Sequence, residues 1–532
     1  MKIDDIEKIH GSPSLHSISQ HELINSSSSE PIKETVHDPK PQTRFRRWIT
    51  NMKGVETRGI EPVPLEEREP VTSSTSLHMM ILWFSMSLAT NNITVGSMGT
   101  LVLGLSFKDA AICAILGNLV GTMTIVARYF MGYYPSKVCS ALNILTNLGY
   151  SMVNCVTGGQ ILSRVSGGHL SVLVGIVVVA LSSWIMAMFG MRIFQIYERF
   201  AWVPQLMVLC VMLGSAGPHF DFEVHTPVSR GRLNAKRVTF FSLALSIALA
   251  WAPLAADYYV YYPPQIKRWR TFAVTVLGSS QAMIITLLLG IGLGTMMASS
   301  PTYLDKYGST PGGLLMAAYD ALGGFGKFCA VINVLALVAN NTPGAYSMGM
   351  NLQMLGGFFW RVPRPVFTTL ATVIYTACAM GGRNSLYEVF KGFLPLIGYW
   401  VMIWLIIVME EDVFFRRLKG YDWSAWNSPQ RLPVGIAAGV SFIVGWVGAI
   451  IGMVVIQNQV YYRGLLAQIA SGADLGLWTG AAFTAVVFPP LRAMELWRGA
   501  RRTRMIVRVA YDTDSPGPRP MEMKMPSVRA DR

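Results

Sequence analysis

Two apolar segments of this chain are long enough to cross a bilayer and yet carry helix-breaking sequence. Leu88-Ala89-Thr90-Asn91-Asn92-Ile93-Thr94-Val95-Gly96 interrupts the first, and Ala250-Trp251-Ala252-Pro253-Leu254-Ala255-Ala256-Asp257 the sixth. In hydrocarbon an unsatisfied backbone group costs on the order of several kcal/mol, so such breaks persist only where protein, water or a ligand satisfies the freed groups. Interruptions at matching positions in two halves of a chain point to a midplane binding site between internal repeats.

The rest of the chain supports a membrane reading. Of 532 residues, 52% are hydrophobic and only 14% charged, far more apolar sequence than one soluble core requires. Twelve apolar runs are expected to span a bilayer, at about 77–104, 110–132, 138–163, 170–191, 199–217, 239–261, 272–298, 326–355, 365–380, 393–409, 433–456 and 474–494.

The net charge of +14 follows the loops and is not gathered into a stripe, which argues against a nucleic-acid partner. Arg128 and Lys137, Arg192 and Arg199, Lys267 with Arg268 and Arg270, Arg361 and Arg364, and Arg416, Arg417 and Lys419 fall between an even-numbered run and the next odd one. The positive-inside rule places these loops and both termini in the cytoplasm. Arg230, Arg232, Lys236 and Arg237, before the sixth run, are the exception.

Residues 1–76, rich in Ser, Glu, Lys and Pro, read as a disordered cytoplasmic tail, and 499–532 as a basic one; trafficking machinery is their natural partner. No apolar run precedes Leu77, so the first span is expected to act as the insertion signal. The six cysteines lack metal-type spacing, and no P-loop or dinucleotide turn is present. No cofactor is expected, and no grouping of nucleophile, base and oxyanion donors suggests an enzyme.

Numbering the runs pairs the first with the sixth and the third with the eighth. The third carries Asn154 on a polar strip with Ser151 and Thr157, and the eighth carries Asn340-Asn341-Thr342-Pro343-Gly344. Each amide offers donors and acceptors, and Pro343 with Gly344 is expected to loosen the helix beside them. The competing reading is an interhelical packing pair worth roughly 0.6–2 kcal/mol.

Trp251, deep in its run beside Pro253, can offer a flat face to a planar ring, and Tyr150 an opposing one. Trp83, Trp360 and Trp497 read as interfacial belt residues. Asn91, Asn92 and Thr94 are divided between helix-break chemistry and ligand contact. Two carboxylates stand in or beside apolar runs, a costly placement that often marks an ion pathway. Glu198 could equally pair with the adjacent Arg199, and Asp257 could belong to an inner gate.

Ala255-Ala256-Asp257-Tyr258 with Val260-Tyr261-Tyr262-Pro263, and Ala339-Asn340-Asn341-Thr342-Pro343 with Tyr346-Ser347, resemble the fungal purine-cytosine permeases of the nucleobase-cation-symport-1 family. So do Pro395-Leu396-Ile397-Gly398-Tyr399-Trp400, Tyr421-Asp422-Trp423 with Ala425-Trp426-Asn427, Leu432-Pro433-Val434-Gly435 and Phe488-Pro489-Pro490-Leu491-Arg492. The resemblance implies an all-α protein of twelve transmembrane helices, a LeuT-like five-plus-five inverted repeat with two additional helices. On that reading the repeats cover about 77–217 and 239–409, and the extra helices 433–494, within a transporter domain of 77–498.

The resemblance also implies proton-coupled uptake of purine bases or cytosine at the plasma membrane. By it, Asn154 takes the polar position of span three, Trp251 the stacking position of span six, Pro343 the span-eight proline, and Glu198 a glutamate linked with transport. Gly344 stands where such members often have a third asparagine, Tyr150 where they often have tryptophan, and Lys391-Gly392 where they have an acidic-Asn pair. A related heterocycle (pyridoxine, thiamine, allantoin or a nucleoside) is therefore the alternative substrate, and a non-transporting nutrient receptor the alternative class.

Overall fold

The computed structural model describes residues 59–513 apart from 60–62, 65, 67, 71, 73, 123–130, 264, 309, 417–433 and 457–459. Arg128, Arg417, Lys419, the motif at 421–427 and Leu432-Pro433 lie outside the described residues, as do nearly all of the N-terminal tail and the last residues of the C-terminal one.

The first span is split into α1 (Thr75–Ser87) and α2 (Thr90–Ser97), the latter running into a π-turn at Met98–Val102. There follow α3 (Phe107–Thr122), α4 (Pro135–Val165), α5 (Val172–Phe189) and α6 (Met191–Ala216). The sixth span is split into α7 (Arg230–Leu249) and α8 (Ala255–Tyr259). Next come α9 (Arg268–Ser299), the short α10 (Pro301–Tyr307) and α11 (Pro311–Ala317), α12 (Gly323–Met354), α13 (Arg364–Gly382) and α14 (Leu386–Glu410). The chain ends with α15 (Ile436–Gly452), a hairpin of β1 (Val454–Ile456) and β2 (Val460–Arg463), α16 (Leu465–Ile469) and α17 (Gly476–Thr513).

Each expected run carries helix. Among the described residues, six helices are long and apolar enough to cross a membrane: Val172–Phe189, Ile193–His219, Arg268–Ser299, Asp320–Met354, Arg364–Gly382 and Gly392–Arg416.

Helix contacts reveal the internal repeat. Span one (α1 and α2) packs on span seven (α9), as span six (α7) packs on span two (α3). Spans three, four, eight and nine (α4, α5, α12, α13) form a second group in which three meets four and nine, while eight meets nine and four. Span five (α6) touches one and eight, and span ten (α14) touches six and three. Exchanging spans one to five with six to ten leaves this pattern unchanged. α15 and α17 lie outside it, packed on each other and on α14.

Small residues permit the closest approaches. A Cβ on Gly96 would run into the Leu287 carbonyl, and one on Gly290 into the Ile93 carbonyl, so α2 and α9 meet backbone to backbone.

Several expectations need correction. The break in span one is only Leu88 and Ala89, with Ala89 extended at φ −90° and ψ 134°. Asn91 through Gly96 are already helical, within α2. The eighth span runs unbroken through Pro343 and Gly344. The fold is not purely α, since the eleventh run stops at Gly452 and turns into the hairpin.

The tail boundaries also move. Glu69 N donates to Tyr261 O at 2.9 Å and Val63 is buried, so contacts with the bundle begin before residue 77. At the other end α17 continues through 499–513. Arg364, expected in a loop, is fully buried, with its guanidinium 4.2 Å from the Tyr346 ring centroid and Nη1 donating to Ala187 O.

Buried charge joins the extra helices to the repeat. Arg492 of α17 donates Nε to Glu411 Oε2 at 2.8 Å and Nη2 to Oε1 at 2.7 Å, and Arg416 Nε adds a third bond at 3.0 Å. Glu495 accepts from Arg492 and from the backbone at Gly435, where α15 begins. At the opposite end of α17, Tyr399 Oη donates to both oxygens of buried Asp474 at 2.7 and 2.6 Å.

Removing one member of a buried pair costs about 3–5 kcal/mol, because the partner is left charged and unpaired. Glu411→Gln is therefore expected to lower the thermal midpoint of the purified protein by several degrees, while Glu495→Gln, at a more exposed carboxylate, has the smaller effect. Equal midpoints for Glu411→Gln and wild type would refute this role.

Candidate functional site

The break in span one leaves carbonyls at the end of α1 without helical partners, and two asparagines take them. Asn92 Nδ2 donates to Ser87 O at 2.9 Å, and Asn340 Nδ2 of α12 donates to Met86 O at 3.0 Å. The Asn340 side chain then accepts through Oδ1 from Asn91 Nδ2 at 3.3 Å and from Asn154 Nδ2 at 3.2 Å. One amide thus joins α1, α2, α4 and α12 at the discontinuity.

Asn340, Trp251, Tyr150 and Gly344 are partly exposed, although Asn91 and Asn154 beside them are buried. Trp251 lies in the string of turns at 250–254 that separates α7 from α8, where Leu254 N and Ala255 N both bond to its carbonyl. Its ring meets Trp83 edge-on, with centroids 6.1 Å apart at 81°. The Tyr150 ring abuts Phe393 of α14 at 6.3 Å.

A Cβ on Gly344 would come within 2.9 Å of Asn147 Oδ1, so the missing side chain brings α12 close to α4 here. The arrangement offers a neutral amide edge in the same core as a partly exposed indole, suited to a small flat polar molecule.

Other expected site residues point elsewhere. The Asn92 amide nitrogen is committed to the break. Asn341 lies on another side of α12, with Nδ2 3.9 Å from Cys155 Sγ. Glu198 is interior to α6, because that helix begins at Met191, and neither of its oxygens has a hydrogen bond of good geometry among the described residues. Arg199 instead faces Glu69 at 3.8 Å.

Asp257 is buried and accepts from Ser347 Oγ at 2.6 Å, and Asn351 Nδ2 donates to the same serine at 3.0 Å. Nearby, the hydroxyls of Tyr261 and Tyr346 pair at 2.9 Å. α8 is thereby tied to α12 on the far side of the break from α2.

Sequence reasoning missed three groups. Trp83 is 1% exposed and packs on Trp251, Tyr258 and Tyr259, not in an interfacial belt. Asn143 and Asn147 extend the Asn154 strip along α4, with Asn147 Nδ2 donating to Asn143 O.

A second amide network joins Thr90, Gln205, Asn333 and Tyr319. Thr90 Oγ1 donates to Asn333 O, and Gln205 Nε2 donates to Thr90 Oγ1 at 3.3 Å and Asn333 Oδ1 at 3.1 Å. Asn333 Nδ2 donates to Tyr319 Oη at 2.7 Å, which donates to Val208 O. The signal was available: Gln205 follows Glu198 by two helical turns, and Asn333 precedes Asn340 by two, so each pair shares a helix face.

Comparison with known proteins gives these features a family. Residues 62–480 match the family described as permease for cytosine/purines, uracil, thiamine, allantoin. The purine-cytosine permease fcyB of Emericella nidulans is 32% identical over 461 residues, covering 83% of this chain and 89% of its own. The vitamin B6 transporter TPN1 of Saccharomyces cerevisiae is 30% identical over 529 residues, covering 85% and 90%.

The inward-facing structure of Mhp1 superposes with a TM-score of 0.55 at 13% identity, over 84% of this chain and 96% of that one. A closed Mhp1, described as a nucleobase-cation-symport-1 family transporter with bromovinylhydantoin bound, gives 0.52 at 14%, over the same shares. The fold is LeuT-like and the protein an integral membrane transporter. The chain belongs to the family of permeases for cytosine and purines, uracil, thiamine and allantoin.

Proposed function

We propose that this permease is a secondary active symporter of twelve transmembrane helices that takes up a purine base or cytosine with protons by alternating access. On this reading it works in the plasma membrane with both termini cytoplasmic. The observation that carries the reading is the Asn340 side chain, which links Met86 O, Asn91 and Asn154 at the break in span one. Trp251 stacks on the ring, and Asn91, Asn154 and Asn340 read its edge. Glu198 or Asp257 couples protonation to closure around α8.

Vitamin B6 is the second reading. Two observations favour it: the extent of the match to a vitamin B6 transporter, and Gly344, which leaves that point of α12 without an amide side chain.

Uptake of radiolabelled adenine, cytosine, hypoxanthine, uracil and pyridoxine in cells lacking their own carriers, with and without an uncoupler, tests the proposal. Uncoupler-sensitive accumulation of adenine or cytosine is expected. Accumulation of pyridoxine alone would favour the second reading, and no uptake with protein at the surface would overturn both.

Stacking contributes about 0.5–1.5 kcal/mol beyond burial. Trp251→Ala is therefore expected to raise KM roughly 3- to 10-fold and Trp251→Phe by less; an unchanged KM in the alanine variant excludes the stacking role. Glu198→Gln and Asp257→Asn separate coupling from binding. The residue that carries the proton is expected to lose uncoupler-sensitive accumulation while keeping substrate exchange, and retention of accumulation by both variants would remove both from the coupling step.

A further inference from the structure

Arg230, Arg232, Lys236 and Arg237 precede an even-numbered span, and so break the charge pattern of the other loops. Positive charge on that face works against the orientation the remaining loops set. The structure accounts for two of the four. Arg237 pairs with Asp109 at 2.8 Å, and Lys236 is half-buried with its ammonium beside Gly104. Arg230 and Arg232 are exposed and form no ion pair among the described residues.

A third exposed arginine, likewise without an ion pair among the described residues, joins them from β2. A Cβ on Gly231 would meet Ser471 Oγ at 3.1 Å, and one on Gly472 would lie 3.7 Å from the Arg463 guanidinium. The first turn of α7 and the end of β2 therefore flank one turn, in which Ser471 has φ 58° and Gly472 φ 88°. Asp474, the next carboxylate along the chain, is buried and bonded to Tyr399. Like charges gathered on one surface repel each other until an anion joins them.

The surface beside these arginines is apolar. α16 follows Arg463 directly; its Ala467 is fully buried, while Leu465 and Ile469, one turn apart on the other face, are 65% and 75% exposed. A Cβ on Gly464 would run into the carbonyls of Ile450 and Ile451, so α16 is seated on the last turn of α15. From there Ile450, Val447 and Ile443 continue as an exposed apolar stripe along α15. That stripe faces hydrocarbon in a membrane span, which puts α16 at the interface and the arginines at headgroup level.

We infer that this corner of the protein binds an anionic phospholipid. Arg230, Arg232 and Arg463 take its phosphate, because planar guanidinium groups match phosphate oxygens in pairs. Its acyl chain lies along Leu465, Ile469 and the stripe of α15. Charge selects the headgroup, and the apolar stripe selects a lipid over a free phosphate. The site itself is independent of the transported substrate; only its assignment to the outer leaflet rests on the topology proposed above.

The test reconstitutes the purified full-length protein in phosphatidylcholine vesicles carrying a trace of photoactivatable phosphatidylglycerol or of photoactivatable phosphatidylcholine, and maps the crosslinks by mass spectrometry. Labelling of α16 and the first turn of α7 is expected to be several-fold greater with phosphatidylglycerol. The combined variant Arg230→Gln, Arg232→Gln, Arg463→Gln is expected to lose that preference, and the corresponding lysine variant to keep most of it. Arg463→Gln alone, the milder change, is expected to reduce it, whereas Arg498→Gln with Arg501→Gln, at the far end of α17, leaves it unchanged.

Equal labelling by the two lipids in the wild-type protein, or a preference that survives in the glutamine variants, would overturn the inference. Excess soluble glycerol phosphate is expected to leave the label in place. Its displacement would overturn the lipid as occupant and make the arginines a site for small phosphates.

Discussion

The hydrogen bond from Asn340 to the Met86 carbonyl is the interaction on which the site depends. A helix stopped in the middle of a membrane protein exposes carbonyls that water cannot reach freely, and leaving one unpaired costs about 1–3 kcal/mol. Asn92 meets this requirement locally, within span one, whereas Asn340 meets it from another helix. The break is therefore stable only while α12 lies against it. The same amide receives Asn91 and Asn154, so satisfying the backbone also assembles a polar edge from spans one, three and eight.

Span five serves the same break from a second direction. Glu198, Trp202 and Gln205 recur at helical spacing along α6, and this stripe faces span one. Trp202 meets Phe84 of α1 with centroids 5.8 Å apart, while Gln205 bonds Thr90 at the start of α2. α6 thus bridges both halves of span one. On the other side of the break, Asp257 with Ser347 ties α8 to α12, and Tyr261 with Tyr346 ties the turn after α8 to it. A rearrangement that separates α8 from α12 breaks hydrogen bonds involving a carboxylate, and one that separates α2 from α12 breaks neutral amide bonds.

The features legible in the sequence were those that violate their surroundings. Asparagines in apolar runs, a proline beside a tryptophan and two carboxylates at membrane depth each cost free energy unless used, which is why Asn154, Asn340, Trp251 and Asp257 stood out. Features that conform to ordinary membrane sequence did not. Trp83 resembles any belt tryptophan until the fold places α1 against α8, and Arg364 any loop cation until Tyr346 closes over it.

Asn92 and Asn341 carried the right chemistry, but helix phase decided their direction: one turns to its own broken helix and the other to Cys155. Pro343 was expected to loosen its helix, and it lies inside α12, which runs through it from Gly323 to Met354. The pairing of one with six and three with eight was legible because a repeat duplicates its irregularities. The narrow break in span one was not, because one of the carbonyls it frees, Met86 O, is met by Asn340, which is remote in sequence.

The most direct test of this account is a structure of the purified protein with its transported heterocycle bound. The account predicts ring density stacked on Trp251, with polar ring atoms within hydrogen-bond distance of the Asn91 and Asn154 side-chain amides, and Asn340 still bonded to Met86 O. Ligand density away from these groups, or Asn340 turned with its oxygen toward Met86 O, would contradict it.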